Sequence, residues 1–315
     1  MASPTMATYQ QLKRNPDSRV LFDNRITTMN DLYKLVDSNS AFMALDTEHV
    51  PVENETNRIL HQVGLTYLPA TSTAMMLNTS IPSRLRLSNF YDKYQLQSLT
   101  LNIELSDQLQ EDLIRFRGNI PNRRPSRFGY ERQINLDSLE SAIIEFIQSC
   151  SNSNTDLVLV GFEMAAEWNY LSKNFPRAMP YFSSWIDLRD IGKDIASAKV
   201  LPGRVSMLQT FGYYWKDIKG SNRNGSADNA GDDTVSTLAM ANAFFYSENR
   251  DKLRSRVARQ NGGKTGSFSL DDKIALSQAM STDEIKEKQR LREFKKTQSL
   301  ESDIDSLGEN FIGLC

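Results

Sequence analysis

Two hydrophobic periods alternate along this chain, and the places where one gives way to the other mark out its elements. The first forty residues are mostly polar, with one helix-like stretch at 29–36 (MNDLYKLV) behind Thr27 and Thr28, residue types that cap helix N-termini. A sharp apolar run at 41–45 (AFMAL) then stops at Asp46-Thr47-Glu48. Such a run predicts a buried strand that delivers acidic side chains at its end. Residues 60–68, closed by Pro69, and 99–105 (LTLNIEL), which alternate at period two, predict two more strands. Residues 106–132 show no regular period. Residues 136–148 predict an amphipathic helix with Leu139, Ile143, Ile144 and Ile147 on one side. DLVLVG at 156–161 is the plainest buried strand, and 163–173 behind it is helix-like. A short strand at 182–188 carrying Asp187, a short helix at 205–211, an Asn/Gly/Ser-rich loop at 221–233 and an apolar helix at 234–246 complete the pattern.

Strands first, then alternating helices and strands, predict an α/β fold: a mixed sheet of about five strands flanked by helices. Beyond 246 the composition shifts. Residues 249–315 hold 13 basic and 11 acidic residues with few apolar periods, and 250–264 carry six positive charges against one negative. This predicts a charged, helical and partly disordered C-terminal tail, broken at Asn261-Gly262-Gly263. The expected organisation is an N-terminal extension (1–40), a folded domain (41–248) and the tail (249–315).

Composition narrows the chemistry. Among 315 residues, 37 Lys and Arg balance 39 Asp and Glu, a formal net charge of −2, which excludes a generally polybasic nucleic-acid coat but not a local basic patch. Two cysteines, Cys150 and Cys315, exclude a disulfide framework and a cysteine zinc cluster; two histidines, His49 and His61, exclude a multi-histidine metal site. No apolar run is long enough to span a membrane, and the N-terminus lacks the apolar core of a secretory signal, so no membrane association and an intracellular location are expected. Any chemistry must run on carboxylates.

Four acidic positions stand where an α/β sheet would present them. Asp46 and Glu48 are two apart on a strand and share a face. Glu167 follows the DLVLVG strand by about one helical turn, and Asp233 opens the apolar helix. Singly, each is matched by an ordinary helix cap or surface acid. Converging, they would repel unless a positive charge sat among them, and Mg²⁺ or Mn²⁺ fits because hard cations prefer oxygen ligands. A two-metal site of this kind hydrolyses phosphodiesters.

Order and context are more specific than any member. FMALDTEHV, LVLVGFEMAAEWNYL and ADNAGDDTVSTL resemble, in sequence, the three motifs of DEDD-type 3′–5′ exonucleases of the ribonuclease H-like superfamily. The third is similar to the His-Asn-Ala-Gly-Asn-Asp-Ala motif of a fungal branch associated with mRNA export and small-RNA silencing, and SRFGYERQINLDSLESAI resembles that branch's FG-x-S segment and following helix. The resemblance covers about 41–246. It implies a ribonuclease H-like fold, metal ligation by Asp46, Glu48, Glu167 and Asp233, a single-stranded RNA or DNA substrate, and a nuclear or cytoplasmic setting. Glu167 stands where the family has Asp. Phe162 replaces the usual His of Val-Gly-His, Asp228 occupies the general-base His position, and Asn229 excludes the tyrosine variant. Aspartate titrates near 3.9 and histidine near 6.5, so Asp228 is the weaker base unless its surroundings raise it; it could equally be a further ligand.

Arg115, Arg117, Arg123, Arg124, Arg127 and Arg132 are interleaved with Phe116, Phe128 and Tyr130. They could hold a phosphate backbone while the rings stack on bases, or pair with the acidic surface of the protein itself. Two readings stay open: a metal-dependent 3′–5′ exonuclease, or a catalytically inactive nucleic-acid-binding adaptor, each with a possible protein partner through the tail. A phosphohydrolase of small nucleotides would need the carboxylates but not the arginine loop.

Overall fold

The computed structural model describes residues 14, 16–53, 58–77, 85–121, 123–151, 155–164, 167, 168, 171, 175–219 and 229–262. Among them seven strands form one sheet: β1 (Arg25–Ile26), β2 (Ala41–Pro51), β3 (Arg58–Leu68), β4 (Gln97–Ile103), β5 (Tyr130–Ile134), β6 (Leu157–Gly161) and β7 (Ser184–Asp187). Their order is β1-β7-β6-β2-β3-β4-β5. β3 runs antiparallel to β2 and β4, and every other pairing is parallel. The fold is therefore the expected α/β mixed sheet flanked by helices, with seven strands rather than about five. The additions are edge strands. β5 escaped the periodicity because four of its five residues are exposed, leaving no apolar face to read.

Successive strand residues point to opposite faces, and both faces are covered. On one, Phe42, Ala44, Val158, Val160 and Ile186 lie under the helix Ala230–Phe245; on the other, Met43, Leu45, Val63, Leu65 and Leu159 meet the helix Leu139–Cys150 with Trp168 and Trp185. That double burial is why β6 reads as an unbroken apolar run.

All 16 residues of Ala230–Phe245 are buried, as a helix enclosed on every side should be. It begins at Ala230, four residues before the pattern indicated, because glycine lowers helix propensity and masks the start. Here glycine permits contact. A Cβ on Gly231 would fall on Thr100 Oγ1, and one on Gly64 of β3 would fall on the Ala230 carbonyl oxygen. The helix start thus rests directly on β3.

Three further segments differ from expectation. The irregular 106–132 contains the helix Asp107–Arg117, of which only Leu113 is buried, too little for a legible stripe. The expected tail contributes the helix Ser247–Gly262, whose Leu253 and Val257 enter the core, so the folded part runs past 248. The expected N-terminal extension supplies β1 and the helix Pro16–Asp23, with Phe22 packed 5.6 Å from Trp168 and 5.3 Å from Trp185, ring to ring. The remainder of the tail, 263–315, lies outside the described residues. No described helix is long and apolar enough to cross a membrane.

Candidate metal centre

β2 does not stop at its acidic pair. It runs to Pro51, but β6 accompanies it only from Ala41 to Ala44. Asp46 and Glu48 therefore sit in mid-strand, just past the point where one neighbour ends. Opposite them on β3 are Gly64 and Gln62, and the register shifts immediately beyond Glu48. Crevices outside the carboxyl ends of strands are where open α/β sheets bind ligands, and bulges there re-aim side chains.

The helix Ala230–Phe245 brings the third acid. Two of its first N–H groups, which have no partner within a helix, are met by side chains. Ala230 N donates to Gln62 Oε1 at 2.8 Å, Asp232 N to Asn229 Oδ1 at 3.0 Å, and Gln62 Nε2 donates in turn to Asn102 Oδ1 at 2.8 Å. Asn229 Nδ2 donates to the Arg124 carbonyl at 2.8 Å. This fixes the first turn, and the positive end of the helix dipole favours the aspartates there. Asp46, Glu48 and Asp233 each present an oxygen, all within 4.8 Å of one another.

At such separations two carboxylates repel by roughly 3–4 kcal/mol at an effective dielectric of about 20. The compensating charge is a residue the sequence did not single out. Arg204, first residue of the helix Arg204–Phe211, pairs through Nη2 with Asp233 Oδ2, while its Nη1 lies 3.6 Å from Asp46 Oδ1 and donates to the Asp233 carbonyl at 3.4 Å. Burial opposes the guanidinium charge, but Asp233 and then Asp46 outweigh it and raise the pKa of Arg204 further.

Glu167 stands apart from the close trio. It is only 6% exposed, and its Oε2 has no hydrogen-bond partner among the described residues. Burial, then the charge of Asp46, raise its pKa well above the usual carboxylate value. The turn leading to it is held by Asp187, which accepts from the backbone N–H of Glu163 (3.0 Å), Met164 (3.2 Å) and Arg189 (2.9 Å). Glu163 adopts φ 63°, so the residue expected to begin a helix forms a left-handed turn instead. Phe162 packs against the core beside it. Asp228 lies outside the described residues.

The arginines take a different course. Arg124 and Arg127 pair with Asp232 at 2.5 and 2.7 Å, and the Arg127 backbone N–H donates to Asp232 at 2.9 Å. Arg123 donates to the Ile103 carbonyl at 2.5 Å and Arg117 to the Pro51 carbonyl at 2.9 Å. Arg132 pairs with Glu145 at 2.8 Å. Arg115 lies over the Phe116 ring at 5.3 Å, and Phe116 is exposed. Asp232, Asp187 and Gln62 thus join Arg204 as residues with defined work that sequence reasoning passed over; of these, only Asp232 stood inside a quoted motif. His49 and His61 are held near pKa 4, mainly by burial, and are neutral at pH 7.

The donor set of Asp46, Glu48 and Asp233 is all carboxylate oxygen, which fits a hard divalent cation. The chain matches no model of a known protein family and no curated protein.

Proposed function

We propose that the chain is a metal-dependent 3′–5′ exonuclease-like protein acting on single-stranded RNA or DNA, with Asp46, Glu48 and Asp233 holding Mg²⁺ or Mn²⁺ and the buried Glu167 within electrostatic reach of Asp46. The observation carrying this reading is that acids from the first and third motifs meet at mid-β2, just past the point where β6 ends, with oxygens within 4.8 Å. Bound there, the cations would activate a water and neutralise charge on the leaving oxygen of a phosphodiester, the chemistry of two-metal sites. The chain's own part is to fix the carboxylates: β2 aims Asp46 and Glu48, and the capped helix start aims Asp233. Arg115 and Phe116, exposed on one helix end, are suited to a phosphate and a base, with Arg117 beside them. An intracellular setting, nucleus or cytoplasm, and a protein partner for the charged tail belong to the same proposal.

A second reading has its own support. Arg204 already neutralises part of the cluster, which suits a nucleic-acid-binding adaptor without hydrolysis. Incubating end-labelled single-stranded RNA and DNA with Mg²⁺, Mn²⁺ or EDTA separates the two. The exonuclease reading expects stepwise shortening from the 3′ end with metal, none with EDTA, and none in Asp46→Asn. Strand binding without shortening assigns the adaptor; neither binding nor shortening overturns both.

A further inference from the structure

Resting on the metal-site reading above, we infer that the Arg204 guanidinium is the resident counter-cation of the carboxylate cluster, and that it and a divalent cation occupy the cluster alternately. Three observations converge on this. The guanidinium pairs with the Asp233 carboxylate and approaches Asp46, two of the three groups whose oxygens would form the metal shell. A guanidinium is planar, permanently charged and donor-only, so it satisfies carboxylates much as a cation does, yet it cannot share their inward-facing oxygens with a metal of like charge. Finally, Glu167 is buried within electrostatic reach of Asp46, with an oxygen lacking any described partner, a donor that Arg204 leaves unused.

The arrangement also provides a way out. Arg204 opens its helix directly after Gly203, and its side chain is 17% exposed, so part of it borders solvent although burial opposes its charge. Swinging outward exchanges two ion pairs for water while the backbone of the helix stays in place.

The test uses the full chain and Mn²⁺ as the probe. Isothermal titration should show Arg204→Gln and Arg204→Ala binding Mn²⁺ about tenfold or more tightly than wild type, the size of a typical coupling between competing occupants. Without metal the same variants should melt lower than wild type, and Mn²⁺ should restore them. Millimolar guanidinium, well below denaturing levels, should refill the vacancy in Arg204→Ala, raising its metal-free melting temperature and weakening its Mn²⁺ binding. A purely structural arginine would not give that reciprocal response. A wild-type arm needs no variant: saturating Mg²⁺ should shift the Arg204 Nε–Hε signal in a nitrogen-correlated NMR spectrum. Equal or weaker Mn²⁺ binding in the variants, or an unmoved Arg204 signal with Mg²⁺ bound, overturns the inference and leaves the metal site standing. If neither wild type nor variants bind Mn²⁺, the metal-site reading itself falls and takes this inference with it.

Discussion

Asp232 and Asp233 are neighbours in the first turn of one helix, yet they sit in opposite electrostatic settings. Asp232 is fully buried and meets two guanidinium groups, a backbone N–H and the Ser126 hydroxyl. There one carboxylate faces an excess of donors, and the arginine loop is strapped to the helix start. Asp233 looks toward Asp46 and Glu48, where three carboxylates gather around Arg204. A satisfied ion pair and an anion-rich cluster therefore stand one residue apart. A fold can tolerate the second because the first, with the Asn229 cap and the Gln62 contact, fixes the helix start independently.

The sharpest way to break this contrast is to neutralise each aspartate in turn. Asp232→Asn removes a buried carboxylate from two guanidinium groups, although Arg127 keeps Asp217 at 3.6 Å, and should cost about 3 kcal/mol of unfolding free energy in urea titrations. Asp233→Asn should cost much less, because relief of carboxylate repulsion offsets the lost pair with Arg204. Equal losses would mean the two acids are not doing different jobs. Next in size is Gly64→Ala, which pushes the helix start off β3 and should cost about 1–3 kcal/mol. Unlike Asp232→Asn, it moves Asp233 relative to Asp46, so Mn²⁺ binding measured by calorimetry should weaken as well.

Acidification probes the cation-rich side. His61 is neutral, with its pKa lowered from 6.5 to about 4 by burial and then by Arg123. Because the folded value lies below the unfolded one, the unfolded chain takes up the proton first. The stability this represents is whole above pH 6.5 and is lost as pH falls toward 4, with a contribution of about 3 kcal/mol at most. His61→Leu should flatten that part of a stability–pH curve taken by urea titration; an unchanged curve would place the acid sensitivity elsewhere. The smallest effect on stability belongs to the outer arginines. Arg115→Ala should change unfolding free energy by less than about 0.5 kcal/mol. If it contacts a phosphate, the same change should reduce the salt slope of strand binding by about 1.

What could be read from the chain follows from where each residue sits. β6 was plain because burial on both faces demands uninterrupted apolar residues, and Asp46 and Glu48 were found because a two-residue spacing on a strand fixes their common face. Asp233 was found through its motif, although the glycine before it hid the true helix start. Arg204 left no such trace: a single arginine at the start of a short helix has no period, and its partners lie far away in sequence. The helix Asp107–Arg117 was invisible for a related reason, since one buried leucine makes no stripe. Leu253 and Val257 are two apolar points in a charged helix, too few to announce that 247–262 packs on the core. The arginine loop was legible as a charge cluster, but sequence alone could not tell that Arg124 and Arg127 are engaged inward by Asp232.

The wide sequence separation of the cluster's members bears on how the chain reaches its native state. Asp46 on β2 meets Arg204 and Asp233 across a large separation in sequence, with β3, β6 and β7 contributed by the chain between them. Loop closure must be met before such distant contacts reward it, so these charges should meet late on the folding pathway. Interactions absent from the transition state alter the escape rate from the native basin and leave the rate of entry nearly unchanged. Carboxylate crowding at this crevice should therefore act as a spring on unfolding: a bound cation that neutralises it should lengthen the lifetime of the native chain and do little to how fast it is born.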